Sequence, residues 1–368
     1  MRFHCSTEKI VAALSVATRA LSARTPLQIL ESIKLSAEEG RLFLTGSDGT
    51  VSIVTSIEAD IQEESAAVLP GRLLLDVCRK MPEGEIKAQM KENFAVQFSS
   101  GHSRMTLSGQ DFRQYPPLPE VDTHYSLQLP QPVLKDMITR TMFAMAEDDE
   151  RAVLRGTLFE TRNSEITAVA VDGFRLALKH LRISQEIPDM NAIIPAKTLS
   201  EIVKLLEDDE EKLVTLNFGE RQMTMEIGET QMFSTLIAGE FINYKKILPE
   251  EFKTRVRVSV GALRACVDRA SLMARTGKNN LVKLQIEDNM IVMTSNSENG
   301  DLYEELDVYQ EGDGLTIAFN VRYLSDILGT LKEEEVFFRF NSNVSPCVVC
   351  PIEGDEFRYL ILPVRINS

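Results

Sequence analysis

The sequence lacks the marks of catalysis and of membrane insertion. Its four histidines, at positions 4, 102, 124 and 180, are scattered, and it has no HExxH, no G-x-G-x-x-G and no phosphate-binding loop. Thr276-Gly-Lys-Asn279 comes nearest to the last of these, but without the upstream glycine or the following Ser/Thr. No catalytic residue, metal site or cofactor is therefore expected. No apolar run reaches the length of a membrane span. The opening Met1-Arg-Phe-His-Cys5 has neither the apolar segment nor the cleavage site of a signal peptide, so a cytoplasmic chain is expected. Cysteine is sparse and odd in number, at 5, 78, 266, 347 and 350, which argues against a disulfide framework. Cys347 and Cys350 have CxxC spacing inside an apolar run, where an extended strand would turn them to opposite faces. Neither a second such pair nor a nearby histidine completes a zinc set. Strand packing is the expectation for this pair. The alternative, a thiol oxidoreductase, needs both thiols exposed and one with a depressed pKa.

What the chain does have is one stretch three times. Pro70-Gly-Arg-Leu-Leu-Leu-Asp76, Pro195-Ala-Lys-Thr-Leu-Ser-Glu201 and Asn320-Val-Arg-Tyr-Leu-Ser-Asp326 follow one another at intervals of 125 residues. Arg72, Lys197 and Arg322 share one column, Leu74, Leu199 and Leu324 the next, and Asp76, Glu201 and Asp326 a third. Val77, Ile202 and Ile327, then Met81, Leu206 and Leu331, continue the match. Leu74, Val77, Cys78 and Met81 have the i, i+3, i+4, i+7 spacing of an amphipathic helix. A regular period this long predicts one domain used three times, and 368 residues suffice for three such domains.

Each repeat is expected to open with another helix: Thr7 to Arg24, Pro132 to Ala146, and Val260 to Arg275. Alternating strands around turn residues follow, then the repeated helix, then three more short strands. The fold class is α+β, each domain holding two helices plus antiparallel sheets. Boundaries fall near Pro116-Pro-Leu-Pro-Glu-Val-Asp122 and Leu248-Pro-Glu-Glu-Phe252, giving domains 1–122, 123–250 and 251–368.

Net charge is −15, which taken whole discourages nucleic-acid binding. Its distribution is uneven. The segments 7–24, 71–81, 132–146, 196–206, 260–278 and 321–332 hold 16 basic and 6 acidic residues, hence +10, which leaves −25 elsewhere. Equivalent basic helices in an acidic chain suggest one surface facing a polyanion, with repeats closing into a ring and helices inside. Contacts there would go to phosphates without base readout. Lysines and arginines that merely keep helix surfaces soluble would give the same count.

Four further stretches carry a resemblance: Val169-Ala-Val-Asp-Gly-Phe-Arg-Leu-Ala177, Phe241-Ile-Asn-Tyr-Lys-Lys-Ile-Leu-Pro249, Phe319-Asn-Val-Arg-Tyr-Leu324 and Leu362-Pro-Val-Arg-Ile366. With them the chain resembles, over its whole length, the bacterial sliding clamps, the beta subunits of the replicative DNA polymerase III holoenzyme. The resemblance implies a head-to-tail homodimeric ring around double-stranded DNA and a processivity factor without catalytic activity. It also implies a cleft where the polymerase, the clamp loader and repair proteins dock through short peptide motifs. By position the cleft comprises Leu154, Val171, Gly173, Phe174, Arg175, Leu176, Ile242, Ile247, Asn320, Tyr323, Val344, Pro346, Leu362, Pro363, Val364 and Arg365. Leu176, Ile247 and Leu362 are expected as its floor, and Arg175 and Arg365 as rim groups. Where the family often carries threonine, histidine, proline and methionine, this chain has Val171, Phe174, Ile242 and Leu362. Those changes keep or raise apolarity. Arg24 matches a DNA-contact position of the family, and Arg72, Lys197 and Arg275 join it on the repeat and charge arguments. At the implied dimer seam, Leu272 and Met273 would meet the partner's strand 103–108, with Met105 and Leu107. The apolar ending, Leu362 and Val364, is expected to be docked, since free tails are normally polar.

Overall fold

The repeated amphipathic stretches fold as helices. The computed structural model describes residues 1–22, 25, 27–183, 187–275 and 280–365. Its α-helices are α1 (Thr7–Ala17), α2 (Gly71–Lys80), α3 (Gln131–Met142), α4 (Ala196–Leu205), α5 (Val260–Ala274) and α6 (Val321–Thr330). The helices α2, α4 and α6 are the three copies of the repeat, and their matched apolar columns are buried, from Leu74, Val77 and Met81 to Leu324, Ile327 and Leu331. Each buried Leu or Ile contributes about 1.5–3 kcal/mol relative to exposure. Ser6, Ser259 and Asn320 accept from backbone N–H groups at the starts of α1, α5 and α6.

Two of the opening helices are shorter than their periodicity predicts. α1 ends at Ala17 and tightens into a 3₁₀ turn, Thr18–Ala20. Thr18 Oγ1 donates to the Leu14 carbonyl at 2.7 Å, a back-bond that competes with regular helix. α3 ends at Met142 rather than Ala146. Each repeat opens on a strand, not a helix: Arg2–Ser6, Tyr125–Pro130 and Thr254–Ser259. Ser65–Pro70, Met190–Pro195 and Leu315–Asn320 likewise precede the repeated helix as strands. All six are only five or six residues long, too short for their alternation to stand out.

The chain divides into two compact units, residues 1–133 with 200–236, and residues 134–199 with 237–368. The first contains a five-stranded sheet and an eight-stranded one. Its core gathers Phe3, Leu14, Leu35, Leu44, Leu74 and Phe98 from α1, α2 and both sheets. The second contains a nine-stranded sheet and a four-stranded one.

The two large sheets follow one rule. In the eight-stranded sheet, Val51–Glu58 of the first repeat pairs with Thr230–Thr235, the last strand of the second. In the nine-stranded sheet, Arg175–Arg182 of the second repeat pairs with Phe357–Ile361, the last strand of the third. The equivalent strands left over, Gly300–Asp307 and Ser103–Leu107, are sheet edges among the described residues.

A half-buried ion-pair cluster ties α3 to the end of α6. Arg140 donates to Asp136 and, through both terminal nitrogens, to Glu333, with its guanidinium 5.3 Å from the Phe357 ring centroid. Lys332 donates to Asp136 at 2.7 Å. Burial alone would raise the Asp136 carboxyl; the Lys332 hydrogen bond and the Arg140 charge hold it below its ordinary value. Burial of Glu333 is likewise outweighed by its bonds from Arg140.

Candidate functional site

The strand seam of the nine-stranded sheet organises the cleft residues. Asp172 and Gly173 turn the chain between strands Glu165–Val171 and Arg175–Arg182. Gly173 has φ of +92°, a left-handed conformation that a side chain would strain. Asp172 Oδ1 accepts from the Phe174 and Arg175 backbone N–H groups at 2.8 and 2.9 Å, closing the turn. Arg175 pairs with Ile361 and Leu176 with Leu360 across the seam.

Beyond Ile361 the chain stays docked. Leu362 N–H donates to the Phe174 carbonyl at 2.9 Å, and Val364 N–H donates to the Ala318 carbonyl at 2.8 Å. Leu362, Pro363 and Val364 are half-buried. The apolar ending thus adds to the wall of the site. Beneath it, Leu154, Val171, Leu176, Leu178 and Leu360 form one cluster, with Phe241, Ile242, Leu248 and Leu362 packed against it. The segment 241–248 is pinned over the sheet by Tyr244, whose hydroxyl donates to Glu160 at 3.3 Å, and by Lys245, which donates to Glu160 at 3.0 Å.

These contacts sort the predicted cleft residues. Ile247 (40% exposed), Phe174 (58%) and Val344 (62%) offer apolar surface to solvent. Ile242, Tyr323, Pro346 and Leu362 are half-buried beside them. Leu154, Val171 and Leu176 are buried and support the floor from below. Asn320 caps α6, its side-chain oxygen accepting from the Arg322 N–H at 2.9 Å. Arg365 is exposed.

Arg175 is not a rim group. It is only 7% exposed. Its guanidinium donates to Asp172 at 2.9 Å and to Asp326, and lies 4.5 Å from the Tyr323 ring centroid and 5.5 Å from that of Phe143. All of this commits the charge to its own chain. Phe174 stacks on Tyr323 with centroids 5.8 Å apart. Arg175 therefore positions the aromatic wall. Asp326 and Phe143 were missed as site residues, because the pairing of Asp326 with Arg175 spans 151 residues. The only local signal was that Asp326 belongs to the acidic column of the repeat.

The DNA-facing candidates are arranged differently. Arg72, Lys197 and Arg275 are exposed. Arg72 and Lys197 are second residues of α2 and α4, and Arg322 occupies the same place in α6. Arg24 lies outside the described residues. Lys197, Arg155 and Arg322 line one cavity of about 650 Å³. Of the four seam residues, Leu272 (62% exposed) and Met105 (40%) present apolar surface, and Met273 is half-buried. Leu107 is 6% exposed and belongs to the core of its unit, so its side chain is not available at the seam.

The CxxC pair does not meet the demands of thiol chemistry. Cys347 and Cys350 are both buried within strand Cys347–Pro351. Burial pushes both thiols up, Cys347 well above its ordinary value, despite guanidiniums near Cys350. No described helix is long and apolar enough to cross a membrane.

Comparison with known proteins agrees with this geometry. The DNA polymerase III beta subunit families match in three successive parts: the N-terminal domain over residues 1–119, the central domain over 128–243 and the C-terminal domain over 245–365. A beta sliding clamp of Staphylococcus epidermidis is 35% identical over 375 residues, covering 99% of both chains. The crystal structure of the DNA polymerase sliding clamp from Bacillus subtilis superimposes with a TM-score of 0.97 at 30% identity, covering both chains in full. A sliding clamp from Pseudomonas aeruginosa bound to griselimycin gives 0.94 at 29% identity, again over both full chains. The chain belongs to the DNA polymerase III beta subunit family, the beta sliding clamps.

Proposed function

We propose that the protein is a sliding clamp that encircles duplex DNA as a head-to-tail homodimer and tethers the replicative polymerase for processive synthesis. The observation that carries this reading is the pair of leftover sheet edges. Two of three equivalent strand pairings are made within the chain; the third needs Gly300–Asp307 of one copy and Ser103–Leu107 of another. Unpaired edges are a liability unless covered. Two copies satisfy both edges at once and close a ring of six domains, cut at about 122 and 250 in each chain. Exposed Leu272 and Met105 supply apolar surface for that seam.

Arg72, Lys197 and Arg275, with Arg24, contact phosphates loosely, as sliding requires. Partners dock an extended peptide on Ile247, Leu362 and the Phe174–Tyr323 wall. The protein has no chemistry of its own; it is a cytoplasmic processivity factor. Retention on circular against linear DNA tests the reading. Clamp loaded on a closed circle stays bound, and clamp on the same DNA after linearisation slides off. Equal retention on both would contradict encirclement.

A further inference from the structure

A second hollow lies on the same face of the nine-stranded sheet as the cleft floor, at the other end of the segment 241–252. The shared face follows from register. Leu176 pairs with Leu360, Leu360 with Val348, and Val348 with Arg339. Leu178 pairs with Arg358, two residues along from Leu176 and Leu360. Side chains two apart on a strand share a face. Leu178, Arg358, Val348, Arg339 and Cys350 therefore continue the surface whose other end carries Leu176 and Leu360. Leu248, Pro249 and Phe252 cover it, enclosing a cavity of about 490 Å³. Leu178, Tyr244 and Leu248 belong both to this lining and to the apolar cluster under the cleft.

The charges in the cavity are not equally committed. Glu160 is taken by Lys245 and the Tyr244 hydroxyl, and Arg162 lies within 4 Å of Glu160 and Asp189. Glu165 faces Arg182 at 3.7 Å, His180 pairs with Asp355 at 3.2 Å, and Glu250 is exposed at the margin. Among the described residues Arg358 reaches a carboxylate only at 4.0 Å, on Asp355. Arg339 makes no ion pair among the described residues. It is half-buried, 5.7 Å from the ring centroids of both Phe252 and Phe337, and its Nε is buried without a hydrogen-bond partner. Arg339, Arg358 and Arg255 all act on the Cys350 thiol in the direction that favours negative charge, against its burial. A guanidinium N–H buried without an acceptor costs free energy that an incoming anion would recover.

We propose that this cavity is a second ligand site, separate from the peptide cleft, taking an amphipathic organic anion. A carboxylate sits against Arg339 and Arg358, and an apolar body lies on Leu178, Leu248 and Phe252. The size fits a small organic ligand. Neither the ring nor the docking of partner peptides depends on it.

Calorimetric titration of the full-length protein with 4-phenylbutyrate, its neutral amide 4-phenylbutanamide and inorganic phosphate tests the site. The acid binds saturably, one per chain, and the amide and phosphate bind about tenfold more weakly or not at all. Arg339→Gln with Arg358→Gln lowers affinity for the acid at least about tenfold. If the double variant does not fold, Arg358→Gln alone and Phe252→Ala, each checked by melting temperature, must both weaken binding. Leu362→Ala, in the cleft, leaves the acid's affinity unchanged, so failure here and failure of the cleft are distinguishable. Equal binding of acid and amide, phosphate binding as well as the acid, no saturable binding, or acid binding insensitive to the cavity substitutions would each overturn the proposal.

Discussion

The cleft and the basic helix positions both belong to one proposed function, yet they are built on opposite principles. In the cleft almost every polar group is already satisfied within the chain. Arg175 is held by Asp172 and Asp326, Asn320 by the start of α6, and the tail by backbone bonds to Phe174 and Ala318. What is left to a partner is apolar surface of fixed shape. At Arg72 and Arg275 the reverse holds: the side chains are exposed and charged. A site that must select a peptide is pre-organised, and a surface that must slide is not. Removing one group should therefore hurt the first far more than the second.

The sharpest way to break that contrast is Arg175→Ala. It leaves Asp172 and Asp326 without their cation and Tyr323 without its guanidinium. Loss of one partner in a buried pair costs about 3–5 kcal/mol. Chemical denaturation should show a loss of that order, and peptide affinity should fall with it. Wild-type stability would mean that Arg175 does not hold the wall.

Next in size are Leu272→Ala and Met273→Ala, which should each weaken the dimer by about 1–3 kcal/mol if they are buried at the seam. Sedimentation over a concentration series reads this directly. An unchanged monomer–dimer equilibrium in the double variant would remove both residues from the interface.

The ion-pair cluster around Arg140 gives a pH test of the same contrast between committed and free charge. Asp136 and Glu333 are both held below their ordinary values. A depressed folded-state pKa contributes stability that is complete above the unfolded value and lost as pH falls through the folded one. Melting temperature should therefore drop as pH falls below the ordinary carboxylate range, and Arg140→Gln should flatten that part of the profile. A profile identical to wild type would assign the acid sensitivity to other carboxylates.

The smallest effects belong to the exposed charges. Arg72→Ala, Lys197→Ala and Arg275→Ala should each weaken DNA retention modestly and equally across sequences, and each should reduce the salt slope by about one. A base-sequence dependence of the loss would contradict phosphate-only contact.

The same contrast explains what the sequence disclosed. The helices α2, α4 and α6 were legible because the same five columns recur three times and their apolar members keep a helical spacing. The strands Arg2–Ser6, Tyr125–Pro130 and Thr254–Ser259 were not, since five or six residues give too few alternations. The proposed membership of the cleft came from the family resemblance, but the job of Arg175 did not, because Asp326 reaches it through the fold rather than through spacing. Leu107 was misplaced for a related reason: it shares a strand face with Met105, and only the fold shows that the core covers Leu107 (6% exposed) while Met105 (40%) stays at the surface. The basic positions were legible from the repeat, the charge count and, for Arg24, the resemblance; the structure adds exposure at Arg72, Lys197 and Arg275 and a cavity beside Lys197.

Peptide titration on the double substitution Leu362→Ala with Ile247→Ala, in protein first shown to be dimeric, tests the central claim most directly. Hot spots are few and central, so removing two apolar contacts should abolish binding of a polymerase-derived peptide while leaving the ring intact. Wild-type affinity in that dimer would place the partner site elsewhere on the molecule.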